Sequence, residues 1–580
     1  MLGPPEKRSW RLAALALVLC GSTIALILRL AHLQIAQYGE YRQQAADEHW
    51  SRQSTIAHRG QIKDATGHTL ASTITVYDVF VNPSASTSPK SATNTARTLA
   101  PLLDMPAEEI LGALSKPSEE AILVKAGVCY DSGKKIAELR LPGVQCVEAS
   151  KRLYPEGNLA APLLGFVGKD NRGLTGIEAD FNQELAGVAG TLVFEQDSTG
   201  MPIPLGFRQM TPPQDGANLV LTIHRYIQTL VERELDKAIE KHKASGGTII
   251  VMEPKTGAIL GMASRPTFDL TNLTKLDLRK DTDMELTRNR AITDMYEPGS
   301  IFKIVTISAA LEEKKVNPKT TYQCGGRVYK YGAAISTWNY AAHGQETITD
   351  LLKNSCNVGA AWVADLLGKE KLYEYIKRFG FGQPTSIGLE GESGGKVRTP
   401  TDEGWTPIDL LTNSFGQGIS VTPLQMITAA SAVANGGLLM RPYVVKEAIG
   451  PKETHVFEPV VVRRVISSET SRTLTDILRQ VVEDGGGKPA QVPGYHLAGK
   501  TGTADIPQAG GYTSKGTIAG FCGYGPVEDP KFAILVKIDQ PKDTPWAGEV
   551  AAPIFRSIAQ QLLIYMKIPP SSAAIAQQRN

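Results

Sequence analysis

Residues 12–28, LAALALVLCGSTIALIL, form the one long apolar run in the chain, preceded by Lys7, Arg8 and Arg11 and closed by Arg29. A hydrocarbon core of about 30 Å needs about 17–25 such residues in a helix, so the run is long enough to span a bilayer with Arg29 snorkelling to the headgroups. A cleaved signal sequence is the competing reading, but its apolar region is about 7–15 residues and ends at a small-x-small site, for which LRLAHLQIA offers no match. The expectation is a single-pass anchor over 12–30 in the cytoplasmic membrane. The positive flank keeps the tail 1–11 inside, and everything from residue 31 onward lies on the extracytoplasmic side.

The rest of the chain is too long for one module, since 580 residues in all exceed the usual domain size several-fold. With 61 Lys+Arg against 59 Asp+Glu and no polybasic block, the net charge of +2 argues against nucleic acid as a partner. The 42% hydrophobic and 21% charged content fits neither wholesale disorder nor a multi-span membrane protein. Six scattered cysteines make no C-x-x-C pair and nine histidines make no H-E-x-x-H, so no metal and no cofactor is expected. Cys129 and Cys146 could bridge in an oxidising compartment, although two separately buried thiols is the favoured reading.

The stretch 31–215 mixes short alternating runs, such as Ile74, Val76 and Phe80, with turn-rich segments such as NPSASTSPK, and reads as an irregular α+β domain. TPPQDG at 211–216 marks a boundary. In the second domain, 216–567, Ile223, Ile227, Leu230, Val231, Leu235, Ala238 and Ile239 recur at helical spacing over 222–243. GTIIVME, the turn Pro254-Lys255-Thr256-Gly257 and AILGMA then predict a β-hairpin, giving helices packed on an antiparallel sheet. The tail 568–580 has too little apolar content to pack and reads as disordered.

Chemistry concentrates in the second domain. In YEPGSIFKIVTISAALEE, Pro298-Gly299 stop the preceding chain and an apolar helix starts near Ser300, placing Ser300 and Lys303 on one face at its N-terminal end. A serine hydroxyl needs a base, and Lys303 serves if it is neutral; desolvation and the positive helix end both lower its pKa. S-x-x-K alone is weak, and Ser132-Gly133-Lys134-Lys135 also matches but lies in a polar, solvated stretch. Ser355-Cys356-Asn357 comes next, in a helical pattern interrupted by polar residues, where a short loop could expose them. Lys500-Thr501-Gly502-Thr503 suits binding a carboxylate while donating N–H groups to an oxyanion, with Gly502 allowing close backbone approach. Lys255-Thr256-Gly257 repeats the pattern but reads as a hairpin turn.

Ser-x-x-Lys, Ser-x-Asn and Lys-Thr-Gly in that order resemble the penicillin-binding proteins and serine β-lactamases. The chain further resembles class B penicillin-binding proteins. RGQIKDATG at 59–67, Arg152-Leu153-Tyr154-Pro155 and Gly176-Ile177-Glu178 look like markers of their N-terminal pedestal. MEPKTGAILGMASRPTFD, the Trp338 to His343-Gly344 stretch, FGFG at 379–382 and SFGQGISVTPLQM at 414–426 look like their catalytic domain. The resemblance implies an anchor, an elongated α+β, dimerisation-like pedestal and a transpeptidase domain of antiparallel sheet flanked by helices. It implies that Ser300 attacks the penultimate D-Ala carbonyl of a peptidoglycan stem peptide, Lys303 takes its proton, Ser355 passes a proton to the leaving D-Ala, and Asn357 orients Lys303. Lys500 would keep the site electropositive, and Thr501 and Thr503 would hold the terminal carboxylate, with the oxyanion on the N–H groups of Ser300 and Thr503.

A neighbouring stem peptide would resolve the acyl-enzyme, and β-lactams would acylate the same serine and leave slowly. Asn357 and the full Lys-Thr-Gly-Thr motif lean toward the division or sporulation type, whose relatives work beside a SEDS-family membrane glycan polymerase. His224 stands where relatives commonly carry Asp, and Cys356 is expected to pack rather than react. Two alternatives stay open. One is a carboxypeptidase or β-lactamase-type hydrolase, although no Glu-x-x-Leu-Asn follows Asn357. The other is a penicillin sensor or scaffold, against which the three complete motifs and the single span with its short inner tail argue.

Overall fold

A computed structural model describes residues 9–85, 88–118, 120–197, 203–508 and 511–571. Residues 1–8, with Lys7 and Arg8, and 572–580 of the expected disordered tail lie outside the described residues. The chain divides into two compact units, one made of 1–57 and 187–215, the other of 58–186 and 216–580.

In the first unit the apolar run forms the helix Ser9–Ala31, which continues through one π-helical turn, His32–Ala36. The span Trp10–Ala36 contains an 18-residue window with a mean hydropathy of 2.2, none of it buried, so this helix is long and apolar enough to cross a membrane. The unit also holds an antiparallel three-stranded sheet in which Gly190–Glu195 lies between Trp50–Thr55 and Arg208–Thr211.

The second unit is organised by a five-stranded antiparallel sheet in the order Ile259–Arg265, Gly246–Met252, Phe532–Asp539, Gly511–Gly525, Ala498–Gln508. The strands Ile259–Arg265, Gly246–Met252 and Phe532–Asp539 are buried on both faces, and period-two alternation sorts the side chains between them. Ile249, Val251, Phe521, Ile534 and Val536 pack with Ile227, Val231 and Leu235 of the helix Arg225–His242 and with Val550, Phe555 and Ile558 of the helix Ala547–Tyr565. Ile250, Met252, Cys522, Ala533 and Leu535 join the larger core containing Ile301, Phe302, Val305, Leu424 and Leu474. The helix Lys303–Glu312 is buried along Lys303–Leu311, which explains why IVTISAAL shows no polar face. The expected hairpin forms with Ile259 opposite Met252, and Gly257, at φ +83°, makes its turn; Lys255-Thr256-Gly257 is a loop, as expected.

The part of this unit from residue 58 to 186 hangs on a second sheet, where Asn218–Leu221 lies parallel to Ile62–Lys63 and antiparallel to Val445–Ile449. Arg59, Arg152 and Glu178, one from each pedestal-like motif, meet in a buried cluster: Arg59 Nε donates to Glu178 Oε2 at 2.7 Å and Arg152 Nε to Glu178 Oε1 at 2.7 Å. Both Cys129 and Cys146 are free thiols, but the expectation that both are buried is corrected: Cys129 is exposed and Cys146 half-buried. Their strands flank opposite sides of Thr69–Val81, with Cys129 beside Val76 and Cys146 beside Val79, about two strand spacings (~10 Å) apart and beyond bridging distance. Ser132 to Lys135, the competing S-x-x-K match, lies on the amphipathic helix Tyr130–Glu138 with both lysines in solvent.

Candidate active site

The three motifs converge at one edge of the five-stranded sheet. Gly299 adopts φ +54°, and a Cβ there would sit 2.9 Å from the Thr503 carbonyl oxygen, so only glycine lets this turn reach the edge strand. Its N–H donates to the Gly416 carbonyl at 3.2 Å, and Glu297 Oε1 accepts from the Gly418 N–H at 3.0 Å, which tie the turn to the SFGQG segment. Ser300 therefore sits on a short 3₁₀ turn, Gly299–Phe302, that feeds the buried helix Lys303–Glu312.

Lys303 is fully buried. Its Nζ lies 2.7 Å from the Ser355 carbonyl oxygen, 2.8 Å from Asn357 Oδ1, 3.1 Å from Ser300 Oγ and 3.3 Å from Ser355 Oγ. The first two partners only accept, and Asn357 Nδ2 is held by the Ser336 carbonyl at 3.2 Å, which fixes Oδ1 toward the lysine. A neutral amine has two hydrogens and one lone pair; the two acceptors take the hydrogens, and the lone pair is left for the Ser300 hydroxyl. Burial pushes the Lys303 amine well below the ordinary lysine range, and the nearby Lys500 charge adds to this.

Ser355 occupies a left-handed conformation (φ +55°) between the helices Ile348–Asn354 and Asn357–Arg378, so the polar interruption is the expected short loop. Lys500, also buried, donates to Ser355 Oγ at 3.0 Å and to the Thr501 carbonyl and hydroxyl oxygens, each at 3.3 Å. Burial brings the Lys500 amine down to about 7. On the same strand a Cβ at Gly502 would meet the Pro298 carbonyl and the Ile301 side chain at 2.7 Å, so this glycine is what lets the strand lie against the serine turn. Thr503 Oγ1 accepts from the Ala547 N–H at 3.2 Å. Cys356 is fully buried with its thiol pushed up to about 12 by burial, which suits packing and not attack.

These residues open on a cavity of about 620 Å³ lined by Ser300, Ser355, Asn357, Thr501 and Thr503. Sequence reading missed part of its wall: Trp546 and Glu549, at the start of the C-terminal helix, and the Trp338–Trp546 edge-to-face pair, with ring centroids 5.0 Å apart. A tryptophan ahead of a helix carries no local signal of a cleft some two hundred residues away in sequence.

Comparison with known proteins places the chain in a family. A family profile for the penicillin binding protein transpeptidase domain matches residues 247–560, and one for the penicillin-binding protein dimerisation domain matches 54–221. Stage V sporulation protein D of Bacillus subtilis is 38% identical over 97% of this chain and 87% of its own length. Peptidoglycan D,D-transpeptidase FtsI of Escherichia coli K12 is 31% identical over 97% of this chain and 93% of its own length. Among solved structures, penicillin-binding protein 3 of Mycobacterium tuberculosis complexed with aztreonam superposes with a TM-score of 0.69 at 27% identity, covering 90% of this chain and 98% of that one. The chain belongs to the penicillin-binding protein transpeptidase family, among the class B members of division and sporulation type.

Proposed function

We propose that this chain is a serine-type peptidoglycan D,D-transpeptidase that cross-links stem peptides and is inhibited by β-lactams. The observation that carries the reading is the Lys303 amine, fully buried, with Nζ 2.7 Å from the Ser355 carbonyl, 2.8 Å from Asn357 Oδ1 and 3.1 Å from Ser300 Oγ; in the neutral amine the two acceptors take the hydrogens and the lone pair is left for Ser300. Ser300 Oγ attacks the penultimate D-Ala carbonyl as Lys303 takes the proton, and the N–H groups of Ser300 and Thr503 receive the oxyanion. Ser355 Oγ accepts from Lys500, which leaves its own hydrogen to deliver to the departing D-Ala amine while Lys303 restores it. Thr501 and Thr503 hold the substrate carboxylate beside the Lys500 charge. An amine from a second stem peptide then reverses the sequence, breaking the acyl–serine bond and forming the cross-link.

Residues 12–30 anchor the chain in the cytoplasmic membrane with the N-terminus inside, 31–215 form the pedestal and 216–567 the catalytic domain, outside the membrane. A SEDS-family glycan polymerase is the partner in that membrane, met by the anchor and pedestal.

The test is intact-mass analysis of the full-length protein with a penicillin, followed by peptide mapping. The expected result is a long-lived adduct of one antibiotic mass on the peptide containing Ser300. Antibiotic consumption without an accumulating adduct would replace transpeptidase with hydrolase, and neither adduct nor consumption from folded protein would leave a scaffold.

A further inference from the structure

We propose that Cys324, His343, Glu346 and Cys356 form a zinc site directly behind the Ser355–Asn357 loop. One donor atom from each, Cys324 Sγ, Cys356 Sγ, a His343 ring nitrogen and a Glu346 carboxylate oxygen, lies within 4.8 Å of all the others. Cys324 Sγ is 3.3 Å from Cys356 Sγ and 3.7 Å from His343 Nδ1, and His343 Nδ1 is 3.2 Å from Glu346 Oε1. A tetrahedral ion with bonds of about 2.0–2.3 Å sets its ligand atoms about 3.3–3.8 Å apart, within half an ångström of each of these spacings. The two sulfurs are far beyond the S–S length of about 2.05 Å of a disulfide. A single hydrogen on His343 Nδ1 can serve the carboxylate or the thiol, whereas one divalent cation satisfies all four groups. Two soft sulfurs with one imidazole and one carboxylate suit zinc over magnesium or calcium.

The surroundings resemble a supporting shell. Tyr322 Oη donates to Glu346 Oε2, Asn354 Nδ2 donates to Glu346 Oε1 at 2.5 Å, and the Gly359 N–H donates to Cys356 Sγ at 3.3 Å. Binding releases both thiol protons to solvent as the two sulfurs ligate as thiolates. The ligands come from different elements: Cys324 and Glu346 from the strand pair Thr321–Cys324 and Gly344–Thr347, His343 from the loop before it, and Cys356 from the cap of the helix Asn357–Arg378. The ion would therefore pin the strand pair to the residue between Ser355 and Asn357, and so hold the two groups that face Lys303. Spacings of 19, 3 and 10 residues between ligands match no metal motif, which is why the sequence pointed away from metal.

The test is metal analysis of the full-length protein purified in detergent with reductant, together with cobalt substitution. Expected are about one zinc per chain and a near-ultraviolet thiolate-to-cobalt band, with Cys324→Ser retaining about a tenth or less of the metal. If that variant fails to fold, the cobalt spectrum of the wild-type protein decides. A metal-free wild-type protein with both thiols reactive after unfolding would overturn the proposal, as would a mass two hydrogens lower from a Cys324–Cys356 disulfide. None of these readouts depends on transpeptidase activity.

Discussion

Replacing Lys303 with methionine should slow acylation of Ser300 by penicillin by about 10²–10⁴-fold, the usual contribution of a positioned general base, while leaving the fold intact. Methionine fills the buried slot but has no lone pair to receive the Ser300 proton. In the wild-type protein the acylation rate should rise with pH through the lowered Lys303 pKa, because only the neutral amine accepts a proton, and should fall again above about 7, where Lys500 loses the charge that holds the carboxylate. Stopped-flow acylation from acid to alkaline pH measures both effects. The stability consequence has the same origin. Between the lowered native value and the ordinary lysine value the unfolded chain binds more protons than the native one, so stability rises with pH across that window. Lys303→Met removes this contribution and should unfold no more easily than wild type at neutral pH. A variant that acylates at more than about a tenth of the wild-type rate would remove Lys303 from the proton path.

That Ser300 and Lys303 would face each other was legible because their separation is one helical turn, a local property of the chain. What tells them apart from Ser132 and Lys135 is burial, and burial is written in the apolar IVTISAAL that comes after Lys303, against the amphipathic helix that carries Lys135. The hairpin at 246–265 was equally legible, since two short apolar runs on either side of a Pro-Lys-Thr-Gly turn are short-range signals. The contact of Lys500 with Ser355 spans 145 residues and is created by sheet order, which puts Ala498–Gln508 on the edge beside the serine turn. No spacing within either motif encodes that order; family resemblance supplied it. Where neither local pattern nor resemblance spoke, the reading fell short. The burial of Cys129 was misjudged because thiols are usually interior, while its place at the end of an outer strand leaves it in solvent. The Cys324–Cys356 contact was invisible for the same reason that Trp546 was: both depend on which loops the sheet and helices bring together.

Substituting Glu178 with alanine should cause a large loss of stability at a site away from the active centre. Its carboxylate stands between two guanidiniums, Arg59 and Arg152, all three buried. Each arginine has further partners, since Arg59 Nη2 donates to the Glu178 carbonyl at 2.6 Å, Arg59 Nη1 to Asn182 Oδ1 at 2.8 Å and Arg152 Nη1 to the Gly60 carbonyl at 2.7 Å. Those contacts are neutral acceptors and cannot offset two positive charges in a low-dielectric interior. Removing the shared anion from such a cluster typically costs about 3–5 kcal/mol, because two uncompensated charges stay behind. The loss should appear as faster amide exchange at Gly60 and Ile177 and as an earlier unfolding transition in urea, both read on the full-length protein. Penicillin acylation at temperatures below that transition should stay within a few-fold of wild type, since Glu178 touches none of the groups around Ser300. A change in unfolding free energy below about 1 kcal/mol would mean that the arginines are solvated or re-paired in the variant, and that the cluster specifies geometry without holding the pedestal together.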